Sequence, residues 1–99
     1  MDNPLFGRWS NDAGDYLQFG RLVGGLGGFE IAGYRGNIDF RLSAVDGLTV
    51  AEFTWQGWHA DKDDVSGRGR FQLEADCLTG TLFIHRRPEI PLILRRAPA

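Results

Sequence analysis

Residues 37–53 read NIDFRLSAVDGLTVAEF, and their pattern indicates the fold class. Apolar side chains recur at every second position from Ile38 to Ala44, with polar side chains between them. A period of two sends alternate side chains to opposite faces, as a half-buried antiparallel strand requires. The pair Asp46-Gly47 follows between two apolar runs and is typical of a two-residue hairpin turn. The stretch therefore predicts a β-hairpin.

Similar short runs continue along the rest of the chain. They are separated by breaks rich in Gly or Asp at 11–14, 24–28, 46–47 and 57–67. Eight strands are predicted, at about 6–10, 15–22, 29–35, 37–44, 48–56, 67–74, 78–86 and 91–96. Short strands at this even spacing are typical of a meander. We predict an all-β fold, an antiparallel meander of seven or eight short strands that forms a small barrel or a flattened sandwich, as a single β domain over residues 1–99.

Length and composition fit one small domain. The chain has 99 residues and 14 glycines, a share that suits many tight turns and does not suit long helices. A single cysteine, Cys77, leaves no internal disulfide framework. Residues 1–4 show neither a basic start nor an apolar run, and no apolar stretch is long enough to span a bilayer. These features favour a cytoplasmic protein without a membrane partner.

Charge is nearly balanced overall but uneven along the chain. Eleven basic and thirteen acidic residues give a net charge of −2, which argues against general nucleic-acid binding. Residues 1–65 carry five basic and ten acidic groups, whereas residues 66–99 carry six arginines and three acidic groups. Two complementary faces, meeting within one fold or within a dimer, explain this asymmetry as well as a ligand does.

The last two predicted strands break the alternation. Residues 82–84 read LFI and residues 90–94 read IPLIL, so they are apolar on both faces. A strand buried on both sides in so small a chain is expected to lie against another subunit. We therefore predict a homodimer or a higher homo-oligomer. The alternative is that the segment at 57–65 folds back and covers the second face.

The opening residues Gly7-Arg8-Trp9, followed by short strands with internal glycines and a basic C-terminus, resemble the start of avidin-type and lipocalin-type meander barrels. This resemblance covers the whole chain. It implies a barrel that binds a small apolar or amphipathic molecule in its mouth.

A second resemblance covers roughly the second half of the chain. Residues 55–57 form a Trp-x-Gly motif, residues 66–69 read SGRG, and Ile84-His85 ends a predicted strand. This pattern is similar to that of a group of small bacterial proteins, although Arg86 and the residues after it replace the acidic residues usual in that group. The resemblance implies a bacterial origin and a small β domain. It implies no activity.

The segment 55–64 carries the densest set of candidate functional groups. Asp61, Asp63 and Asp64 supply oxygen ligands of the kind that Ca²⁺ or Mg²⁺ takes, and His59 adds a transition-metal option. The spacing lacks the glycine and the terminal Glu of a Ca²⁺ loop. The alternative, a solvated and charge-rich hairpin loop, is favoured, and no metal or other cofactor is predicted.

Three tryptophans are candidates for either core packing or ligand contact. Trp55 and Trp58 flank the charged segment, and Trp9 lies elsewhere. Aromatic side chains at a barrel mouth can hold a ligand or anchor a partner. Core packing is the favoured interpretation for Trp9 and Trp55, and the two interpretations are equally supported for Trp58.

Two residues are candidate acids or bases. Alternation places Glu52 on the face opposite Phe53 and Trp55. If Glu52 faces the interior, it is a buried carboxylate suited to acid or base catalysis; if Phe53 and Trp55 face the interior, it is a surface residue. The surface interpretation is favoured. His85 is expected outside the core.

Arg68 and Arg70 share one face of their predicted strand and are candidates for a small anion site. The favoured alternative is that they pair with the acidic first half of the chain.

Two function classes follow. The first is a binding module that recognises a protein partner or a small ligand through residues 55–64 and the arginine face. The second is a small barrel enzyme that uses Glu52 or His85 within an apolar cavity, which is less favoured because no catalytic pair is evident.

Overall fold

A computed structural model describes residues 3–21, 26–60 and 62–97 of the chain; of Lys62 and Asp63 it describes only the backbone. Eight β-strands follow one another along these residues. They are β1 (Gly7–Ser10), β2 (Tyr16–Phe19), β3 (Leu26–Ile31), β4 (Tyr34–Val45), β5 (Leu48–His59), β6 (Lys62–Glu74), β7 (Cys77–Ile84) and β8 (Ile90–Arg96).

Each strand pairs antiparallel with the next, and β8 returns to pair with β1, so the sheet closes into a barrel. The prediction of an all-β antiparallel meander is confirmed, and of its two alternatives the barrel is the one that forms. The closing pair is short, because β1 and β8 pair only at Trp9 with Arg96 and at Ser10 with Arg95.

The central strands are longer than the sequence predicts. The break expected at 57–67 is instead the far end of the β5–β6 hairpin, where Gly57 pairs with Val65 and His59 pairs with Lys62. The described part of this segment therefore does not fold back over the sheet. Its hydrophilic composition indicated a loop, but a hairpin with a solvated outer face tolerates polar side chains equally well.

The turn after β3 also differs from the prediction. Residues 29–35 were expected to form one strand, but Ala32 and Gly33 have φ values of 51° and 83° and form the two-residue turn between β3 and β4. Positive φ at both central positions matches the type I′ hairpin turn. The predicted turn at Asp46-Gly47 is confirmed, with φ values of 52° and 80°.

A β-bulge interrupts the β5–β6 ladder near its tip. Gly57 pairs with Val65 while Trp58 pairs with Asp63, so Asp64 is the extra residue on β6. Asp64 has a φ of 62°, in the left-handed region that Asp tolerates better than most residues. A bulge of this kind bends the strand and increases its local twist.

Aromatic rings and glycines together fill the barrel interior. Phe53 and Phe71 are buried and stack with ring centroids 6.0 Å apart. A Cβ atom added to Gly69 would lie 2.1 Å from Cζ of Phe53, so the ring occupies the space that a side chain there would need. Gly36 is covered in the same way, since its Cβ would lie 2.9 Å from both Phe29 and Trp55. The interior is therefore a packed core over this region.

The N-terminal segment and the end of β8 close one end of the barrel. The indole N–H of Trp9 donates to the carbonyl oxygen of Leu5 at 3.0 Å, and both residues are buried. The guanidinium of Arg96 stacks over the Trp9 ring at 4.3 Å and donates to the carbonyl oxygens of Phe6 and Pro4. This arrangement confirms the prediction that Trp9 is a core residue.

Strands β7 and β8 have apolar groups on both faces, as their sequences indicate. Leu82, Ile84, Leu92 and Leu94 are buried in the core. Ile93 points the other way and is 62% exposed, and Phe83 is half-buried on the outer face.

Candidate functional site

The outer wall formed by β4, β5, β6 and β7 carries polar side chains in rows that cross the strands. The register aligns one row of Asp39, Thr54, Arg68 and Phe83. It aligns the next row as Arg41, Glu52, Arg70 and Thr81. Side chains directly opposite each other on neighbouring strands have Cβ atoms only about 5 Å apart, so each row is a set of interacting groups.

These two rows line a groove of about 630 Å³, which we call the arginine groove. Its charged lining residues are Asp39, Arg41, Glu52, Arg68 and Arg70. Phe83 adds an aromatic ring at the β7 side. The groove therefore offers three guanidinium groups, two carboxylates and one apolar surface to a ligand.

Glu52 lies on the surface, as the favoured interpretation predicted. Its side chain is 59% exposed, and its Oε1 lies 3.4 Å from Nη1 of Arg70, which is itself half exposed. Phe53 and Trp55 point into the core instead. Glu52 is therefore not the buried carboxylate on which the enzyme hypothesis depended.

Arg68 and Arg70 are held differently, although they lie side by side. The guanidinium of Arg68 stacks over the ring of Phe83, 5.4 Å from its centroid. Arg70 pairs with Glu52 across β5 and β6. One of the two arginines thus makes the charge pairing that the sequence predicts, whereas Arg68 contacts an aromatic ring.

A second groove, of about 730 Å³, continues the outer wall toward the tip of the β5–β6 hairpin. We call it the amide groove. Its outward side chains, on β3, β4, β5 and β6, are Leu26, Asn37, Asp39, Thr54, Gln56, Trp58, Asp64 and Ser66. It shares Asp39 and Thr54 with the arginine groove, so the two grooves form one continuous surface.

The two tryptophans of β5 lie on opposite faces. Trp55 is 3% exposed, its ring packs edge-on against Phe29 at 4.9 Å, and its indole N–H donates to the carbonyl oxygen of Phe83. Trp55 is therefore a core residue, as the favoured interpretation predicted, and its ring is not available to a ligand. Trp58 is 43% exposed and borders the amide groove.

His59 lies at one end of the barrel, away from Arg68 and Arg70. Its imidazole stacks on the ring of Tyr34 with centroids 4.1 Å apart. The hydroxyl of Tyr34 accepts a hydrogen bond from Nη1 of Arg87 at 3.5 Å. The structure therefore separates His59 from Trp58, its neighbour in the sequence, and from Arg68 and Arg70.

His85 is exposed just after β7, and its backbone N–H donates to the carbonyl oxygen of Ser66 at 2.9 Å. It borders a groove of about 420 Å³ together with Arg68 and Phe83. Glu52 lies on β5, two strands away. The enzyme hypothesis required Glu52 or His85 within an apolar cavity, and both side chains face solvent.

The three aspartates suggested as metal ligands are only partly described. Asp61 lies outside the described residues, and the side chain of Asp63 is not described. Asp64 is exposed in the bulge of β6. Within residues 3–21, 26–60 and 62–97, no three His, Cys, Asp or Glu side chains come together as a metal site would require.

Several groove residues were not predicted from the sequence. Asn37, Asp39 and Arg41 are the polar positions of β4 and were used only as evidence of alternation. Their place beside Arg68 and Arg70 depends on the register of three strands. The signal was present, since polar residues at every second position of adjacent strands must share one face.

Comparison with protein-family models, curated proteins and solved structures gives no match to this chain. No helix in the described residues is long and apolar enough to cross a lipid bilayer. The fold therefore defines the class, a small eight-stranded meander β-barrel, and two polar grooves lie on its outer wall.

Proposed function

We propose that this protein is a binding module that holds a carboxylate-bearing ligand in the arginine groove. The observation that carries the proposal is the meeting of Arg41, Arg68 and Arg70 in one groove on the outer wall. Guanidinium groups bind carboxylates through paired, charge-assisted hydrogen bonds.

The packed interior supports an outer site. Rings of Phe53, Phe29 and Trp55 fill the space above Gly69 and Gly36, which leaves a ligand no room in that part of the barrel. Small-molecule sites are usually concave, with a few polar groups that converge on one volume. The arginine groove meets this description on the outside of the barrel.

The ion pair at the centre of the groove is weak enough to be exchanged. Arg70 and Glu52 are both at least half exposed and approach only to 3.4 Å. Exposed pairs of this kind contribute about 0–1 kcal/mol, so a ligand carboxylate can compete with Glu52 for Arg70 at little cost. Arg68 is held in place by its contact with Phe83, which limits the entropy lost on binding.

Replacing Arg68 and Arg70 together with Gln is expected to lower affinity for an acidic probe by about a hundredfold. Each lost charge-assisted hydrogen bond is worth about 1.5–3 kcal/mol, and 1.4 kcal/mol is a factor of ten. Isothermal titration with hexaglutamate and with hexagalacturonate measures this loss. Each variant is first shown by circular dichroism to keep the wild-type fold.

The control is the variant Arg8→Gln, titrated with the same two probes. Arg8 lies on β1, on a different part of the wall, and bonds to Gln18 rather than to groove residues. It removes a positive charge without touching the groove, so affinity is expected to stay within about twofold of wild type. The proposal would be contradicted if the wild-type protein bound neither probe. It would also be contradicted if Arg8→Gln lowered the affinity as much as the double replacement of Arg68 and Arg70.

We further propose that two copies associate along the edge of β8. Ala97 donates its backbone N–H to Arg8, so the polar backbone groups at alternate positions, including those of Ile93, point toward the β1 side. β1 pairs with β8 at Arg95 and Arg96, beyond Ile93. With a two-fold axis at Ile93, the backbone N–H of Ile93 in each copy donates a hydrogen bond to the carbonyl oxygen of Ile93 in the other. The exposed isoleucine side chains of the two copies are then in contact.

The variant Ile93→Asp is expected to convert a dimer into a monomer, because it places two carboxylates together at that axis. Native mass spectrometry at increasing protein concentration measures the change. Val45→Asp is the matched control, since Val45 is 40% exposed on the β4–β5 hairpin. A wild-type protein that stays monomeric, or an Ile93→Asp variant that stays dimeric, would contradict this second proposal.

A further inference from the structure

The amide groove is chemically unlike the arginine groove that it adjoins. Asn37, Gln56 and Ser66 stand opposite one another on β4, β5 and β6, and Thr54 follows on the same face. Amide and hydroxyl groups can both donate and accept hydrogen bonds, whereas a guanidinium only donates. Ligand hydroxyls also do both, so this row is matched to a polyhydroxylated ligand.

Trp58 gives the amide groove an exposed aromatic wall. Trp58 is 43% exposed, and the exposed side chain of Leu26 lines the same groove, so the two form an apolar patch beside the amide row. An indole face can stack on the C–H face of a sugar ring while nearby amides bind the ring hydroxyls. The charge of Arg35, opposite Trp58 on β4, is paired with that of Glu30 at 2.9 Å. The charged groups that line this groove are the carboxylates of Asp39 and Asp64, which can accept hydrogen bonds from ligand hydroxyls.

A peptide fits this surface less well. Extended peptides usually add to an open strand edge, where backbone groups supply the hydrogen bonds. β4, β5 and β6 are each paired on both sides, so the wall beneath the two grooves has no open edge. Recognition there depends on side chains alone.

The length of the two grooves and the charge of the arginine groove restrict the class of ligand further. At about 3.3 Å per residue, Trp58 lies ~13 Å along β5 from Thr54 and ~20 Å from Glu52, so an occupant of both grooves must be an oligomer. Three arginines share the arginine groove with two carboxylates. This modest excess of positive charge suits single carboxylates spaced along a chain better than phosphate dianions.

We infer that the ligand is an acidic oligosaccharide, with uronate carboxylates in the arginine groove and sugar rings against Trp58 and the amide row. This inference rests on the proposed function of the arginine groove and specifies its ligand class.

The test compares hexagalacturonate, hexaglutamate and the uncharged cellohexaose by isothermal titration on the full chain. Hexagalacturonate is expected to bind about tenfold more tightly than hexaglutamate, and cellohexaose more weakly than hexagalacturonate. Trp58→Ala is expected to weaken hexagalacturonate binding by about tenfold and to leave hexaglutamate binding unchanged. Phe6→Ala, which removes an aromatic ring of equal exposure elsewhere, is the control.

The outcomes separate the two proposals. If both acidic probes bind equally and Trp58→Ala changes neither, the oligosaccharide inference is overturned and the anion-binding function stands. If neither acidic probe binds, both proposals fail. Gln56→Ala gives a second readout within the amide groove that does not depend on Trp58. A lower affinity of this variant for hexagalacturonate, with its affinity for hexaglutamate unchanged, supports the inference.

Discussion

Trp55→Ala is expected to lower the free energy of unfolding by about 3–5 kcal/mol, the usual cost of deleting a buried Trp or Phe side chain. Trp55 is 3% exposed, packs edge-on against Phe29, and donates its indole N–H to a backbone carbonyl. The substitution removes the ring, opens a cavity and leaves that carbonyl without its donor. Because a small domain has a total stability of only about 5–15 kcal/mol, the variant is expected to be partly unfolded at physiological temperature.

Chemical denaturation followed by tryptophan fluorescence measures this loss, with Trp58→Ala as the matched control. Trp58 is 43% exposed, so its removal is expected to change stability by no more than about 1 kcal/mol. Trp55→Phe keeps an aromatic ring and gives a smaller loss if the alanine variant does not fold. Equal effects at the two tryptophans would show that the assignment of the two faces of β5 is wrong.

Gly69→Ala is expected to destabilise the protein by about 2 kcal/mol, although a methyl group is the smallest possible addition. The added Cβ would lie 2.1 Å from Cζ of Phe53 and 2.4 Å from Cε1. Phe53 cannot easily move aside, because it is buried against Phe71. Where alanine fits the backbone without strain, a Gly-to-Ala change stabilises a protein by about 0.4–1 kcal/mol through the unfolded chain, but the steric cost here exceeds that gain.

The control for Gly69→Ala is the outward glycine Gly28, whose added Cβ would approach no atom closer than 3.3 Å. The nearest atom is the backbone carbonyl oxygen of Gly36, a tight contact but a much longer one than that at Gly69, so Gly28→Ala is expected to cost less than Gly69→Ala. Combining Gly69→Ala with Phe53→Leu is expected to recover about 1 kcal/mol relative to the sum of the single losses, because the smaller side chain makes room. Strict additivity of the two changes would contradict a packed interior at this point.

The fold class was predictable because one physical signal, alternation, runs through most of the chain. The polar residues of 37–44 and the turn at Asp46-Gly47 are sufficient to predict the β4–β5 hairpin, and the structure confirms it. The choice between barrel and sandwich was not predictable. It depends on the short pairing of β1 with β8 at Arg95 and Arg96, which leaves no periodic pattern in the sequence.

Strand ends were harder to predict than strands. Gly57 and the aspartates after it indicated a loop, yet these residues continue the β5–β6 hairpin with a bulge at Asp64. Gly33 lies within the strand predicted at 29–35, yet it forms a turn. Glycine is compatible with both structures, so the long-range pairing decides between them.

The candidate site was predicted only in part, because it is assembled from four strands. Arg68 and Arg70 were identified from their shared face, and Trp58 from its position beside polar residues. Asp39 and Arg41 could be placed beside them only once the register of β4, β5 and β6 was known. A register shift of one residue would send every one of these side chains to the other face.

The proposed site requires that this barrel bind its ligand on the outer wall and not in its interior. Backbone amide chemical shifts recorded during titration with hexagalacturonate locate the bound ligand. We expect the largest shifts at Arg41, Glu52, Arg68 and Arg70, with smaller shifts extending to Trp58. Shifts centred on Tyr34 and His59 at the end of the barrel, or no shifts at all, would contradict the account.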